Sequence, residues 1–378
     1  MQSLDTDRLL ETFALAETGF GVTEPNPRVG CVIGLPDGTV LGRGATQAAG
    51  QAHAEVMALR DAQNQAHTVK GATAWVSLEP CAHFGRTPPC CDALIAAGLA
   101  RVVVAVGDPF DRVAGEGIQR LRAAGIEVVM AEADLARQAR DINIGFFSRM
   151  LRGRPWVRMK IAASLDGRTA LPDGQSRWIT GEQARADGHA WRKRASAVLT
   201  GIGTVREDNP QLDVRHVPTV LQPIRVVVDS RLETPVDAKL LQVPGRGVWI
   251  YGAQDDGSRR AALQAQGADI RLLPGDSGKV DLAAMLQQLG QRGINELHVE
   301  AGHKLNGSLL NTGRVDELLV YLAPKLLGQG REMASFGPLA SLAEGLAFDF
   351  GPVQQLGPDL RILARAQASA ALGWPGQA

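Results

Sequence analysis

The stretch EPCAHFGRTPPCC, residues 79–91, holds three of the chain's four cysteines, and HAE at 53–55 sets an imidazole two residues from a carboxylate. One imidazole and two thiolates, His53, Cys81 and either Cys90 or Cys91, make the donor set of a catalytic zinc site. Such a site uses three protein ligands and keeps a fourth position for water, whereas structural sites are closed with four. Glu55 would then stand beside that water as a general acid/base, and zinc brings the pKa of its water to roughly 7. A disulfide or plain packing of small side chains is the competing account. Cys90 and Cys91 are adjacent, so only one of them points at an ion, and chemistry alone does not choose between them. Cys31 lies in an apolar stretch and is read as core.

Those residues sit at the ends of predicted elements. A helix capped by Thr6 carries Leu9, Leu10, Phe13 and Ala14, and RVGCVIGLPDGTVLGRG reads as two strands around a Pro-Asp-Gly turn. HAEVMALRDAQ reads as a helix opening on the histidine, TAWVSL as a strand ending before Pro80-Cys81, and CCDALIAAG as a helix opening on Cys90. RVVVAVGDP, GEGIQRLRAAG, IEVVMA and one helix over ADLARQARDINIGFFSRML complete an α/β unit.

A chain of 378 residues is long for one core, and two domains are expected. The change of unit falls near RGRPW, giving domains 1–147 and 148–366 with a loose tail at 367–378. The second half alternates strands WVRMKIAAS, AVLTGIG, IRVVVDS, GVWIYG, ELHVEAG and ELLVYLAP with helices over GEQARADGHAWRKRAS, RRAALQAQG and DLAAMLQQLGQRG. Forty basic and forty acidic side chains balance. No global field therefore draws nucleic acid or an anionic membrane. No apolar run approaches the eighteen or so residues that span a bilayer, and MQSLDTDRLLETFALAETG lacks a basic segment followed by an apolar block. A soluble cytoplasmic protein is expected.

H-x-E with P-C-x-x-C marks zinc deaminases; the first part is present and the second is stretched to eight intervening residues. TGFGVTEPNPRVGCVI, HAEVMAL and SLEPCAHFGRTPPCCDALI resemble the deaminase domain of the bifunctional riboflavin-biosynthesis deaminase/reductase family. The resemblance implies a cytidine-deaminase-like three-layer α/β fold, Zn2+ on His53, Cys81 and Cys90, and Glu55 as proton donor. It implies as substrate 2,5-diamino-6-(5-phosphoribosylamino)pyrimidin-4(3H)-one, which loses ammonia to give 5-amino-6-(5-phosphoribosylamino)uracil. The insert then has a use: His83, Arg86 and Thr87 supply donors suited to phosphate or ribose, while two prolines stiffen the return to the helix. A plain solvated loop is the alternative. Asn26, between two prolines, is a candidate pyrimidine contact.

In the second half, polar residues cluster at the ends of apolar strands, where ligands of open α/β sheets sit. ASLDGRTA, WITGEQAR, GIGTVREDNPQLDVR, RVVVDS and VEAGHKLNGSLL resemble the same family's reductase domain, a dihydrofolate-reductase-like α/β fold. By that likeness NADPH contacts Ala162, Trp178, Thr204, Asp208, Ser230 and Gly302, His303, Lys304, Leu305, Asn306, Gly307 and Ser308. The phosphoribosyl substrate meets Ser176, Arg192, Leu212, Arg215 and Glu300. Singly these are ordinary: Trp178 as core, Arg192 on a solvated face, Thr204 as a cap. The chain carries EAG where some relatives double the glycine, a position alanine can hold. The implied chemistry is hydride transfer from NADPH to C1′ of the opened ribosylamine.

A homo-oligomer acting on a small pyrimidine ribotide is therefore expected, with neither nucleic acid nor membrane as partner. Zero net charge and only two tyrosines weigh against a nucleic-acid-editing deaminase. A binding protein with structural zinc is the other alternative, and in it Glu55 would have no work to do.

Overall fold

The computed structural model describes residues 3–82, 84, 88–109 and 115–370. The chain forms two compact units, Met1–Arg152 and Gly153–Ala378. His83, Arg86 and Thr87 lie outside the described residues, as do 371–378 of the expected tail.

The first unit runs α1 (Ser3–Glu17), β1 (Gly30–Gly34), β2 (Val40–Ala45), α2 (Ala54–Asn64), β3 (Thr73–Val76), α3 (Cys90–Ala96), β4 (Arg101–Val104), α4 (Glu116–Ala123), β5 (Glu127–Met130), α5 (Ala133–Ile142) and α6 (Ile144–Arg152). Its sheet has the order β2-β1-β3-β4-β5, antiparallel on both sides of β1 and parallel from β3 onward. Gly44 lies opposite Cys31, and Gly30, one residue earlier, faces the other way. A Cβ on Gly30 would lie 2.0 Å from the Thr12 carbonyl oxygen of α1, and one on Gly44 2.1 Å from that of Ala54 in α2. The two helices therefore cover opposite faces, which makes three layers. Val102, Val103 and Val104 of β4 are fully buried, as a strand covered on both faces requires.

Local expectations fail in two places here, each for a tertiary reason. Thr6 does not cap α1, which begins at Ser3; Asp5 is buried and accepts from Trp75 Nε1 at 2.8 Å and Arg101 Nη1 at 2.8 Å, so the first turn is pinned to the sheet. The single helix expected before the boundary breaks at Asn143, whose side chain exchanges hydrogen bonds of 2.8 Å with both backbone groups of Arg28. The division expected at 147/148 falls within α6, which runs to Arg152.

The second unit runs β6 (Trp156–Ser164), β7 (Arg168–Ala170), α7 (Glu182–Arg194), β8 (Ala197–Gly201), α8 (Ile202–Asp208), β9 (Ile224–Val228), α9 (Lys239–Gln242), β10 (Val248–Gly252), α10 (Gly257–Ala265), β11 (Ala268–Leu272), α11 (Leu282–Gln291), β12 (Glu296–Val299), α12 (His303–Asn311), β13 (Glu317–Ala323), β14 (Arg331–Glu332), β15 (Phe348–Leu356), β16 (Asp359–Ala366) and α13 (Gln367–Ala370). The main sheet has the order β11-β10-β9-β8-β12-β6-β13-β16-β15; it is parallel as far as β13, and β16 and β15 add antiparallel. Side chains alternate across it: Val226 joins Met285 and Leu289 of α11 on one face, and Val227 joins Val205 of α8 and Leu263 of α10 on the other. Arg158 in β6 is fully buried, pairs with Glu296 of β12 at 2.8 Å and with Glu317 of β13, and lies over the Trp191 ring at 4.4 Å. One charged residue thus ties three central strands. The tail expected to be loose from residue 367 begins as α13, where the Ser369 hydroxyl donates to Asp316 at 2.7 Å.

Candidate functional site

Glycines at 42 and 44 in β2 have no side chain to hold α2 away; a Cβ on Gly42 would lie 2.3 Å from the Ala58 carbonyl oxygen. The helix therefore lies directly on the hairpin. His53 is its N-cap, with extended backbone (φ −80°, ψ 169°), and Glu55 is buried in its first turn. The chain leaving β3 reaches Pro80-Cys81, and α3 opens on Cys90. These three ends converge. Ligand atoms of His53, Cys81 and Cys90 all lie within 4.8 Å of one another. His53 Nδ1 is 3.3 Å from Cys90 Sγ and 3.6 Å from Cys81 Sγ. Tetrahedral zinc with ordinary Zn–S and Zn–N bonds needs nitrogen and sulfur about 3.6 Å apart, so the donor set fits the ion.

All four cysteines are free, which removes the disulfide account. Cys91, one residue round the helix, turns its Sγ to Asp92 Oδ1 at 3.7 Å, and Cys31 is fully buried in β1. Cys90 is thus the member of the adjacent pair that faces His53.

Charge in this cluster is tightly shared. The hydrogen bond from the Cys90 thiol, with help from His53, pulls the Cys81 thiol down to about 4 against the effect of burial. Its partner moves the other way: donating to Cys81, burial and the nearby Glu55 carboxylate all push Cys90 up. Two sulfurs sharing one proton are poised to lose it to a dication. Burial first, and the Cys81 thiolate second, push the Glu55 carboxyl up to about 7, the value suited to taking and giving a proton near neutrality. Asn26 is half-buried in a turn where its backbone N–H donates to the Thr23 carbonyl at 2.9 Å; that turn is held by Arg28, which pairs with Glu24 at 2.7 Å.

In the second unit the carboxyl ends of neighbouring parallel strands bring part of the expected set together. Arg192 of α7 grips Glu300, just past β12, with two hydrogen bonds of 2.5 and 2.9 Å, and donates to the Asp213 carbonyl at 2.8 Å. Asp213 in turn pairs with Arg215, and Leu212 is buried with φ +53°. Arg192, Arg215 and Glu300 are therefore joined in one network through Asp213, which follows Leu212 in the chain. Burial raises the Glu300 carboxyl, but Arg192, His298 and Lys160 outweigh it and hold the group well below the usual carboxylate range. His189 accepts the Arg215 N–H at 3.4 Å; burial and the two arginines push it down to about 4, so it is neutral.

Gly302 is the N-cap of α12, which contains His303, Lys304, Leu305, Asn306, Gly307 and Ser308. Thr204 Oγ1 lies 3.9 Å from where a Gly302 Cβ would stand, and Leu305 packs against Gly201, so the amino ends of α8 and α12 meet. Arg177 donates to the Asp208 carbonyl at 3.1 Å. Trp178 is not core: it is 66% exposed, with the Arg185 guanidinium 4.6 Å from its ring centroid. Ser176 is half-buried nearby in sequence. Ser230 follows β9, two strands along the edge from Glu300, and its Oγ accepts from Val280 N at 3.3 Å. Ala162 packs against the buried cluster of Ala184, Leu319 and Tyr321.

Sequence reasoning missed Lys160. It lies on β6 with its ammonium close to both Glu300 and Arg192, and burial lowers its pKa. A cation inside the apolar run WVRMKIAAS was the available signal.

Family comparisons cover nearly the whole chain. Residues 5–106 match the cytidine and deoxycytidylate deaminase zinc-binding region, and residues 155–362 match the RibD C-terminal domain. The riboflavin biosynthesis protein RibD of Escherichia coli is 45% identical over 359 residues, which is 92% of this chain and 95% of that protein. The structure of Acinetobacter baumannii RibD superposes with a TM-score of 0.86 at 42% identity, covering 96% of this chain and 99% of that one. A diaminohydroxyphosphoribosylaminopyrimidine deaminase/5-amino-6-(5-phosphoribosylamino)uracil reductase of Thermotoga maritima gives 0.85 at 29% identity, with 96% and 99% covered. Zn2+ suits the first unit and NADPH the second. The chain belongs to the RibD family of bifunctional riboflavin-biosynthesis deaminase/reductases.

Proposed function

We propose that the first unit hydrolytically deaminates 2,5-diamino-6-(5-phosphoribosylamino)pyrimidin-4(3H)-one and that the second reduces the ribosyl group of the resulting uracil to ribityl. The observation that carries the first step is the convergence of His53, Cys81 and Cys90 on one point beside a buried Glu55. His53, Cys81 and Cys90 hold zinc in this reading, which supplies a Lewis acid and a water made nucleophilic near neutral pH. Glu55 takes one proton from the attacking water and passes it to the ring nitrogen, then takes the second from the new hydroxyl and passes it to the leaving amine, which departs as ammonia as the carbonyl forms. Asn26 orients the pyrimidine, and His83, Arg86 and Thr87 meet the ribotide.

For the second step NADPH supplies the hydride that reaches C1′ of the opened imine. Ala162, Trp178, Thr204, Asp208, Ser230 and the segment Gly302 to Ser308 hold the cofactor in this reading; Ser176, Arg192, Leu212, Arg215 and Glu300 hold the substrate. The meeting of the α8 and α12 amino ends supports a phosphate cradle there. The two units, Met1–Arg152 and Gly153–Ala378, divide this labour.

No helix among the described residues is long and apolar enough to cross a membrane, and we infer a cytoplasmic location. We also infer a homo-oligomer. On the edge hairpin of β15 and β16, Phe350 is 78% and Val353 56% exposed, which is costly for an isolated protomer.

The test is incubation of the purified protein with the diaminopyrimidine ribotide, with and without NADPH, followed by mass analysis. Uracil ribotide alone is expected without NADPH, and its ribityl form with it. In Glu55→Ala, ammonia release is expected to vanish while zinc stays bound; persisting deamination would remove Glu55 from its assigned role.

A further inference from the structure

Helix α4 contributes no residue to the metal group, yet it contacts both segments that carry the cysteines. Its amino end has no cap of its own: Gly115 stands at the N-cap position with φ +82° and no side-chain hydrogen bond. The acceptor comes from elsewhere. Glu79, buried and two residues before Cys81, accepts four backbone N–H groups. Its Oε2 takes those of Asp108 and Gly115, both at 3.1 Å, and its Oε1 those of Gly117 at 3.0 Å and Ile118 at 3.2 Å. A carboxylate at a helix amino end, satisfied by four donors, is a strong and directional clamp.

The clamp draws α4 onto the metal-site strand end. A Cβ on Gly117 would lie only 2.0 Å from the Pro80 carbonyl oxygen, so the helix backbone rests directly on the peptide leading into Cys81. One turn on, Arg120 donates to the Ala82 carbonyl at 3.2 Å and grips Asp92, in the first turn of α3, at 2.9 and 3.0 Å. The two cysteine segments are themselves joined, with Cys91 N donating to the Cys81 carbonyl and Cys90 N to Cys81 Sγ, both at 3.3 Å.

We propose that Glu79 is a positioning residue of the metal centre, setting the spacing of Cys81 and Cys90 through α4. The proposal rests on the reading that His53, Cys81 and Cys90 hold zinc. Supporting groups of this kind weaken metal binding about 10–100-fold when removed. Glu79→Gln keeps the size of the side chain but replaces one acceptor oxygen with a donor that faces N–H groups.

The experiment uses the full-length protein. Zinc dissociation constants are measured by competition with a chromophoric chelator, and the d–d bands of the cobalt(II)-substituted protein report ligand geometry. Far-ultraviolet circular dichroism and NADPH-dependent turnover of the uracil ribotide check that the chain is folded. Glu79→Gln is expected to weaken zinc binding about 10–100-fold and to alter the cobalt bands with turnover of the uracil ribotide unchanged. A folded Glu79→Gln with the parent dissociation constant and cobalt bands overturns the proposal. Should that variant not fold, Arg120→Met decides: zinc binding weakened about 2- to 5-fold supports the brace, and unchanged binding overturns it. If the parent protein itself binds no zinc, the metal assignment falls and the brace with it, an outcome visible before any variant is made.

Discussion

Arg192 and Glu300 hold each other in a bidentate pair of which each member is about 15% exposed. A carboxylate left there without its guanidinium is largely desolvated, with only His298 and Lys160 beside it. Arg192→Met is therefore expected to cost about 3 kcal/mol of second-unit stability. It should also raise the KM for the uracil ribotide at least 10-fold while deamination continues. Denaturant titration and steady-state kinetics check both, and an unchanged KM would remove Arg192 from substrate binding. By residue type alone this arginine is one charge on a basic helix, and only the family resemblance set it at the substrate; that it meets Glu300, 108 positions away, is a contact no local pattern contains. Cys90 against Cys91 is the same lesson at the metal group. Both are thiols at a helix start, and only the phase of α3 turns one toward His53 and the other toward Asp92. Lys160 escaped notice because a lysine in an apolar strand reads equally well as a side chain reaching for solvent.

At the scale of elements, periodicity was informative wherever one face is buried. The hairpin of β1 and β2, the helices α2 and α3, and the parallel strands of both units were legible as runs of the right period with turn residues between them. β15 and β16 were not. β15 is exposed along most of its length and is interrupted by Gly351-Pro352, where its register with β16 shifts, so neither alternation nor a continuous apolar run remains. The packing of α2 on β2 depends on glycine as a matter of distance. Gly44→Ala would put a methyl carbon 2.1 Å from the Ala54 carbonyl oxygen and must push the amino end of α2 outward. A loss of about 1–3 kcal/mol is expected, together with reduced zinc content as His53 moves. Urea midpoints and metal analysis test this, and full zinc content in a folded Gly44→Ala would show that α2 has room to shift.

For the whole molecule, balanced charge bounded the class of partner, and two lengths of α/β pattern bounded the architecture. The exposed apolar residues of the second unit were invisible in that balance, because apolar residues are counted alike wherever they end up. Leu342 is fully exposed and Leu346 is 45% exposed, close in sequence to Phe350 and Val353. Association through this edge is expected to give a sedimentation coefficient above that of a 40.1 kDa monomer at micromolar concentration. Phe350→Lys with Val353→Lys should return the protein to monomer, and a monomeric parent would rule the homo-oligomer out.

By itself the sequence determined the chemistry available: an imidazole, two thiolates and a carboxylate at strand and helix ends, and glycine-rich turns after apolar strands. Residue type and local period are properties of the chain. Tertiary structure decided which of those groups meet, because contact between residues far apart depends on how strands stack and how helices are phased on them. Glu79 shows the difference most plainly. In the sequence it is one acid before Pro80-Cys81; in the fold it is the cap of a helix that begins 37 positions later.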